Sequence, residues 1–227
     1  MLRIAIDGAC RRNGKPDCIS AGGVYVQRLD EGSIVCHSIA AISESESTNQ
    51  RGELLALDRA LTYIYNFGEE AIVITDSEYI FNAMTKRWCD KWANNGWTTA
   101  SGGDVKNADL WEKIYNKACH IEKKGVDVTY YHIKGHCIPF GTVTANNLLD
   151  ADDTGEQLYK EVHKKFDLVA FSKREVFTKA QALSKTNNGY ELPADIFKEF
   201  VVMNTVVDAI ATTEVDNVDI GYKSPRY

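Results

Sequence analysis

The period of the hydrophobic pattern first changes near residue 49, and that change limits the folds open to this chain. Before it, Leu2 to Ile6 alternate as a strand and run into Asp7-Gly8, a turn signal. Ala21 to Val26 and Ser33 to Ile39 read as two further strands, joined by the hairpin turn Asp30-Glu31-Gly32. Three strands with one tight hairpin predict an antiparallel meander. Beyond the change, Leu54, Leu57, Leu61 and Ile64 recur at intervals of three and four, predicting a helix from Asn49 to Tyr65 that stops at Phe67-Gly68. Ala71 to Thr75 is short, apolar and β-branched, hence a buried strand ending at Asp76. Helical character returns from Tyr79 to Trp92 and from Ala108 to Glu122, and a strand from Val126 to Ile133 is closed by Lys134-Gly135-His136. A meander followed by helix and strand in alternation predicts an α/β fold, a mixed sheet of five strands covered by helices.

From Cys137 to Met203 the texture differs. Residues 146–156 are polar and acidic, and Tyr159 to Lys185 is helical in pattern and rich in Lys and Arg. Asn187-Asn188-Gly189 reads as a turn, and Leu192-Pro193 opens a further helix. The last helix is expected from Ala194 or Lys198 to Thr212, with a loose tail after Val218. No run approaches the roughly 18 apolar residues of a membrane helix, and the N-terminus shows no signal-peptide pattern. The six cysteines form no C-x-x-C pair, so reduced thiols in a cytoplasmic setting are expected, without structural zinc. A net charge of −6 from 26 basic and 32 acidic residues by itself argues against a nucleic-acid partner.

Four acids stand out by position. Asp7 ends the first strand, Glu53 lies in the first turn of the first helix, Asp76 ends a buried strand, and Asp208 lies among Val206, Val207 and Ile210. Asp7 and Asp76 can converge from neighbouring strands, and a helix packed across that sheet edge can add Glu53. Carboxylates so gathered repel one another and need a cation. Hard oxygen ligands select Mg²⁺ or Mn²⁺ over zinc, and two such ions can clamp the attacking and leaving oxygens of a phosphoryl displacement. Taken singly, Asp7-Gly8 is also explained as a turn and Glu53 as a favourable charge at a helix N-terminus. Asp208 is harder to explain locally, because an acid on an apolar helix face needs a partner.

An ordered set of motifs then becomes specific: Asp7-Gly8-Ala9-Cys10 with Asn13-Gly14, Thr48 to Leu54 with Asn49-Gln50, Thr75-Asp76-Ser77-Glu78-Tyr79, Trp92 to Trp97, Val105 to Trp111, Lys134-Gly135-His136, and Asn204 to Ala211 around Asp208. In this order the chain resembles the type 1 ribonuclease H family. The resemblance implies a ribonuclease H-like core over 1–136 and 204–213, a mainly helical insertion over 137–203 and a tail over 214–227. It implies hydrolysis of the RNA strand of an RNA–DNA hybrid by a monomer using two Mg²⁺ ions, with Mn²⁺ as a substitute, leaving 5′-phosphate and 3′-hydroxyl ends. Asp7, Glu53, Asp76 and Asp208 would hold the metals, with Asp7 bridging both, and His136 would assist proton handling or product release. Cys10, Asn13, Asn49 and Gln50 would meet the hybrid groove, where 2′-hydroxyls mark the RNA strand. Trp88, Trp92, Trp97 and Lys106 would lie beside the DNA strand, although three tryptophans can equally pack two helices together.

The family places its last Asp shortly after the histidine, whereas 67 residues separate His136 from Asn204. Asp150 is the rival, nearer the histidine and also with an Asn four residues before it. Asp208 is preferred because its segment is continuously apolar-periodic, as a packed helix requires. Asp150, Asp152, Thr154, Gly155 and Glu161 also touch a calcium-loop spacing, with Gln157 where an apolar residue belongs. Between Tyr159 and Lys185, seven basic residues stand against three acids, so the insertion is a candidate phosphate-binding arm beside the active site.

Overall fold

The computed structural model describes residues 1–138, 154–165 and 175–223. Five strands, β1 (Leu2–Arg11), β2 (Ile19–Asp30), β3 (Ser33–Ser45), β4 (Ala71–Thr75) and β5 (Val128–His132), form one sheet in the order β3-β2-β1-β4-β5. The β1–β2 and β2–β3 pairs are antiparallel and the β1–β4 and β4–β5 pairs parallel, so the sheet is mixed, as the two sequence textures predict. The helices are α1 (Asn49–Phe67), α2 (Glu78–Thr85), α3 (Trp88–Asn94), α4 (Ala108–Lys123), α5 (Thr154–Lys165), α6 (Glu175–Asn188) and α7 (Ala194–Lys223).

Local chemistry sets the ends of α1. The Thr48 side chain accepts from the Arg51 N–H at the start, and Gly68, at φ 64°, closes the end by donating its N–H to the Ile64 carbonyl. Ser77 caps α2 in the same way, accepting from the Ile80 N–H.

Strand alternation divides the core. Leu2, Ile4, Ile6, Val24 and Val26 face one side, where they bury Leu54, Leu57, Leu61 and Ile64 of α1 with Trp111 and Ile114 of α4. Ala5, Tyr25 and Ile74 face the other, against Phe197, Phe200, Val206, Val207 and Ile210 of α7. Both helices come very close to β2 at Gly22-Gly23. A Cβ on Gly22 would lie 2.4 Å from the Gly52 carbonyl oxygen, and one on Gly23 would lie 2.7 Å from the Val207 carbonyl oxygen, so no larger residue fits at either position.

Four expectations change. The helical stretch from Tyr79 to Trp92 is two helices, broken where Arg87 takes a left-handed φ of 53°. β1 continues past Asp7 to Arg11 because β2 pairs with it to the end, Arg11 opposite Ile19. The last helix runs to Lys223, so a tail beginning at residue 214 is not observed. Val215 is fully buried, and the α7 acids Asp216 and Asp219 pair with Arg11 and Arg12 at 2.6 and 2.5 Å. From Thr154 the chain is helical, so the second half of the calcium-loop spacing lies on α5, while Asp150 and Asp152 fall outside the described residues.

The insertion packs onto the α7 face rather than standing free. α5 and α6 bury Leu158, Val162, Phe177 and Ala180 in the second core. Lys160, Lys179 and Lys185 are already paired with Glu156, Glu175 and Glu191, which counts against the phosphate-arm reading for these three lysines. Lys164 is exposed, and Lys173 and Arg174 lie outside the described residues.

Candidate active site

The parallel β1–β4 ladder ends at Ile6 opposite Thr75, so Asp7 and Asp76 are the first residues of each chain beyond it. Asp7 shares the strand face of Ala5, which looks toward α7, and there meets Asp208. Glu53 is the fifth residue of α1, one place beyond the first turn, and reaches the cluster from the opposite face. Ser77 donates to Glu53 Oε2 at 2.5 Å and Asn49 Nδ2 donates to Oε1 at 3.1 Å, which fixes that carboxylate. The Gly8 N–H donates to Asp7 Oδ1 at 2.7 Å.

The charges of these groups act on one another. Burial, then the charges of Asp76 and Asp208, hold the Asp7 carboxyl well above the ordinary range, with the Gly8 N–H as a partial offset. Burial raises Glu53, opposed by the Ser77 hydroxyl and reinforced by Asp76. Burial also raises Asp76, opposed by His136 and His132. Burial pushes Asp208 up to about 6; His136 and the Thr212 hydroxyl work against it and Asp76 with it. Carboxyls that desolvation raises together form a site short of positive charge.

His136 follows β5 on an exposed loop, its own φ 53°, with Nδ1 3.7 Å from Asp208 Oδ2. The loop passes so close to Asp76 that a Cβ on Gly135 would lie 1.8 Å from Oδ2. Among the described residues, no three His, Cys, Asp or Glu groups already stand around one point at ligation distance. The all-oxygen donor set and its mutual repulsion nevertheless suit a hard divalent cation, and do not suit zinc.

The other candidates are placed as follows. Asn49 and Gln50 open α1 beside Glu53, and the Gln50 side-chain oxygen is buried without a hydrogen-bond partner. Cys10 is half-buried near the end of β1, and Asn13 is exposed in the following loop. The tryptophans are packing residues that belong to the first core. Trp88 lies 6.0 Å from Trp92, Trp92 lies 5.5 Å from Trp111, and Trp97 lies 6.1 Å from Tyr115, between ring centroids. Each keeps some exposed surface, and Lys106 is fully on the surface nearby in sequence. Sequence reasoning missed three contributors. Ser77 could have been found as a capping residue next to Asp76, and Gly135 as the glycine of the histidine loop. His132 carried no signal, because its role depends on the insertion.

A family model for RNase H matches residues 2–154. A ribonuclease H of Caldicellulosiruptor saccharolyticus is 31% identical over 161 residues, covering 70% of this chain and 96% of its own. One from Clostridium botulinum is 34% identical over 136 residues, covering 59% and 82%. Among solved structures, LC9-RNase H1, a type 1 RNase H, superposes with a TM-score of 0.51 at 22% identity over 79% of this chain and 83% of its own, a likeness of fold. Sheet order and helix placement thus define a ribonuclease H-like fold. The chain belongs to the RNase H family. The matched span ends at residue 154, so it includes Asp150 and stops short of Asp208.

Proposed function

We propose that this chain is a metal-dependent endoribonuclease that cuts the RNA strand of RNA–DNA hybrids and leaves 5′-phosphate and 3′-hydroxyl ends. One observation carries the reading: Asp7, Glu53, Asp76 and Asp208 converge from β1, α1, the end of β4 and α7, Asp7 buried and the other three half-buried, and desolvation raises all four, with Asp76 adding to the shifts of Asp7, Glu53 and Asp208. Such a cluster is costly unless a cation binds it. The four carboxylates would hold two Mg²⁺ ions, or Mn²⁺, whose charge would stabilise the attacking and leaving oxygens of the phosphodiester.

The remaining residues bind and orient. Gln50 stands one turn before Glu53 on α1; its side-chain oxygen, buried and unpartnered, would become an acceptor for a ribose 2′-hydroxyl, a donor that DNA lacks, once the side chain turns outward. Asn49 is tied to Glu53 and links groove contact to the position of that carboxylate. Cys10 and Asn13 would line the same groove, and Trp88, Trp92, Trp97 and Lys106 would offer exposed edges and charge to the DNA strand. His136, on a loop and within reach of Asp208, is suited to carry a proton to or from the leaving oxygen. Asp208 rather than Asp150 is taken as the fourth carboxylate, because its charge is felt by Asp7.

Incubation with Mg²⁺ and labelled RNA–DNA hybrid, RNA duplex or DNA duplex tests this directly. Cleavage of the hybrid alone is expected, and it should vanish in Asp7→Asn. Absence of hybrid cleavage by the wild type would reject the reading. Activity that survives Asp208→Asn and is lost in Asp150→Asn would overturn the choice of fourth acid.

A further inference from the structure

β5 is the edge strand of the sheet, and the last turn of α6 closes that edge at one residue, His132. Asn188 Oδ1 accepts from the His132 N–H at 3.0 Å, and Asn188 Nδ2 donates to the His132 carbonyl at 2.9 Å. The Asn188 amide thereby stands in for the next strand of the ladder. Ser184, itself buried, donates to the same carbonyl at 3.1 Å. The insertion is therefore bonded to the strand that leads into the histidine loop.

The ring of His132 carries the contact inward. It is buried, tilted against Phe81 at 5.8 Å between centroids. Its Nε2 lies 3.1 Å from the backbone carbonyl of Asp76, and its Nδ1 lies 2.7 Å from Asn187 Nδ2. A carbonyl oxygen can only accept, so Nε2 must bear the proton. The neutral ring then offers a lone pair at Nδ1, which the Asn187 amide fills as donor. The Asp76 carbonyl thus fixes the tautomer, and Asn187 answers it with Nδ2 and orients the ring, so that His132 holds the carbonyl of Asp76 at the end of β4.

We propose that His132 is a positioning residue for Asp76, held as its Nε2–H tautomer by the Asp76 carbonyl and oriented by Asn187, and that the insertion reaches the metal site through this pair. The proposal rests on the reading that Asp76 helps to hold a divalent cation. Polar partners that orient a ligand commonly alter metal affinity or activity by roughly 10–100-fold when removed. His132 acts through the backbone, so the lower end, about tenfold, is expected.

The test uses the full chain labelled with ¹⁵N. In the metal-free wild type, two-bond couplings of the His132 ring should show Nε2 protonated, and Asn187→Ala should keep that tautomer but loosen the ring, seen as broadening of its ring signals. Titration with Mn²⁺ should broaden the amide resonances around Asp76, with about tenfold more ion needed in Asn187→Ala. At limiting Mg²⁺, kcat on the hybrid should fall by a similar factor with KM unchanged, and excess Mg²⁺ should restore it. A wild-type ring protonated at Nδ1 would overturn the proposal. So would an Asn187→Ala protein whose ring signals broaden while its Mn²⁺ binding stays wild-type. If the wild type cuts no hybrid at any Mg²⁺ concentration, the nuclease reading fails, while the ring couplings and the Mn²⁺ titration still decide the role of His132. His132→Phe serves as a second variant, and wild-type Mn²⁺ affinity in a folded His132→Phe protein would also refute it.

Discussion

Replacing Asp208 by Asn should stabilise the metal-free protein while destroying its activity. Burial moves the Asp208 carboxyl from 3.8 to about 6, and each unit of difference corresponds to about 1.4 kcal/mol. The full effect is therefore of order 3 kcal/mol, reached only above pH 6. Asparagine keeps the shape and removes the charge, and the attraction of His136 is already contained in the value of about 6, so a gain of about 3 kcal/mol is expected. For a chain of this size that is a rise of roughly 6–12 °C in Tm. The sign follows from protons. As pH rises from about 4 to 6 the unfolded chain releases its Asp208 proton before the folded chain does, so the wild type loses stability over that window. The variant has no such proton, and the gap between the two should open through that window, stay constant above it and close below about pH 4. Thermal melts in chelator across a pH series measure this directly. Mg²⁺ should then raise the wild-type Tm more than that of the variant. A variant no more stable than wild type at pH 7.5 in chelator, or a gap indifferent to pH, would refute the reasoning.

Three further outcomes are expected. Gly135→Ala would drive a methyl group into Asp76 Oδ2. Displacing that carboxylate should reduce kcat by ten- to a hundredfold or thereabouts, with a small change in Tm by melting. Arg51 joins Glu44 of the β3 edge at 2.6 Å to Asp109 of α4 at 2.9 Å and holds both carboxyls below their usual range. Arg51→Met should cost about 1–2 kcal/mol by urea unfolding at pH 7, and the difference should shrink as pH falls below 4, where the unfolded acids protonate. Leu158, on α5, is fully buried against the second core, so Leu158→Ala should cost about 2–5 kcal/mol and lower a single unfolding transition. Separate melting of the insertion would contradict its placement in that core.

The elements of the sheet and the faces of α1 and α4 were legible because their apolar residues follow one period over long stretches, as Leu54, Leu57, Leu61 and Ile64 do. The gathering of Asp7, Glu53 and Asp76 was legible for a related reason: strand ends and a helix start are marked by local signals. The break at Arg87 was not, since a left-handed residue other than glycine leaves no pattern. Nor was the reach of α7. Asp216 and Asp219 look like solvent-facing acids until Arg11 and Arg12, some two hundred residues away, come alongside. Asn187-Asn188-Gly189 read as a turn, and Gly189 is one, at φ 76°. The two asparagines before it have a second use that exists only once α6 docks on β5.

Asp208 lies 14 residues from one end of α7 and 15 from the other, about four turns each way. An acid in the first turn of a helix is solvated by N–H groups that have no partner; in the middle every N–H is already engaged, and the backbone offers such an acid nothing. Its neutralisation is left to His136, Thr212 and whatever cation arrives. The same location is where a helix frays least. The carboxylate is thus held still while its charge is only partly offset, so that, on the proposed function, capture of an ion would be the event that relaxes the site.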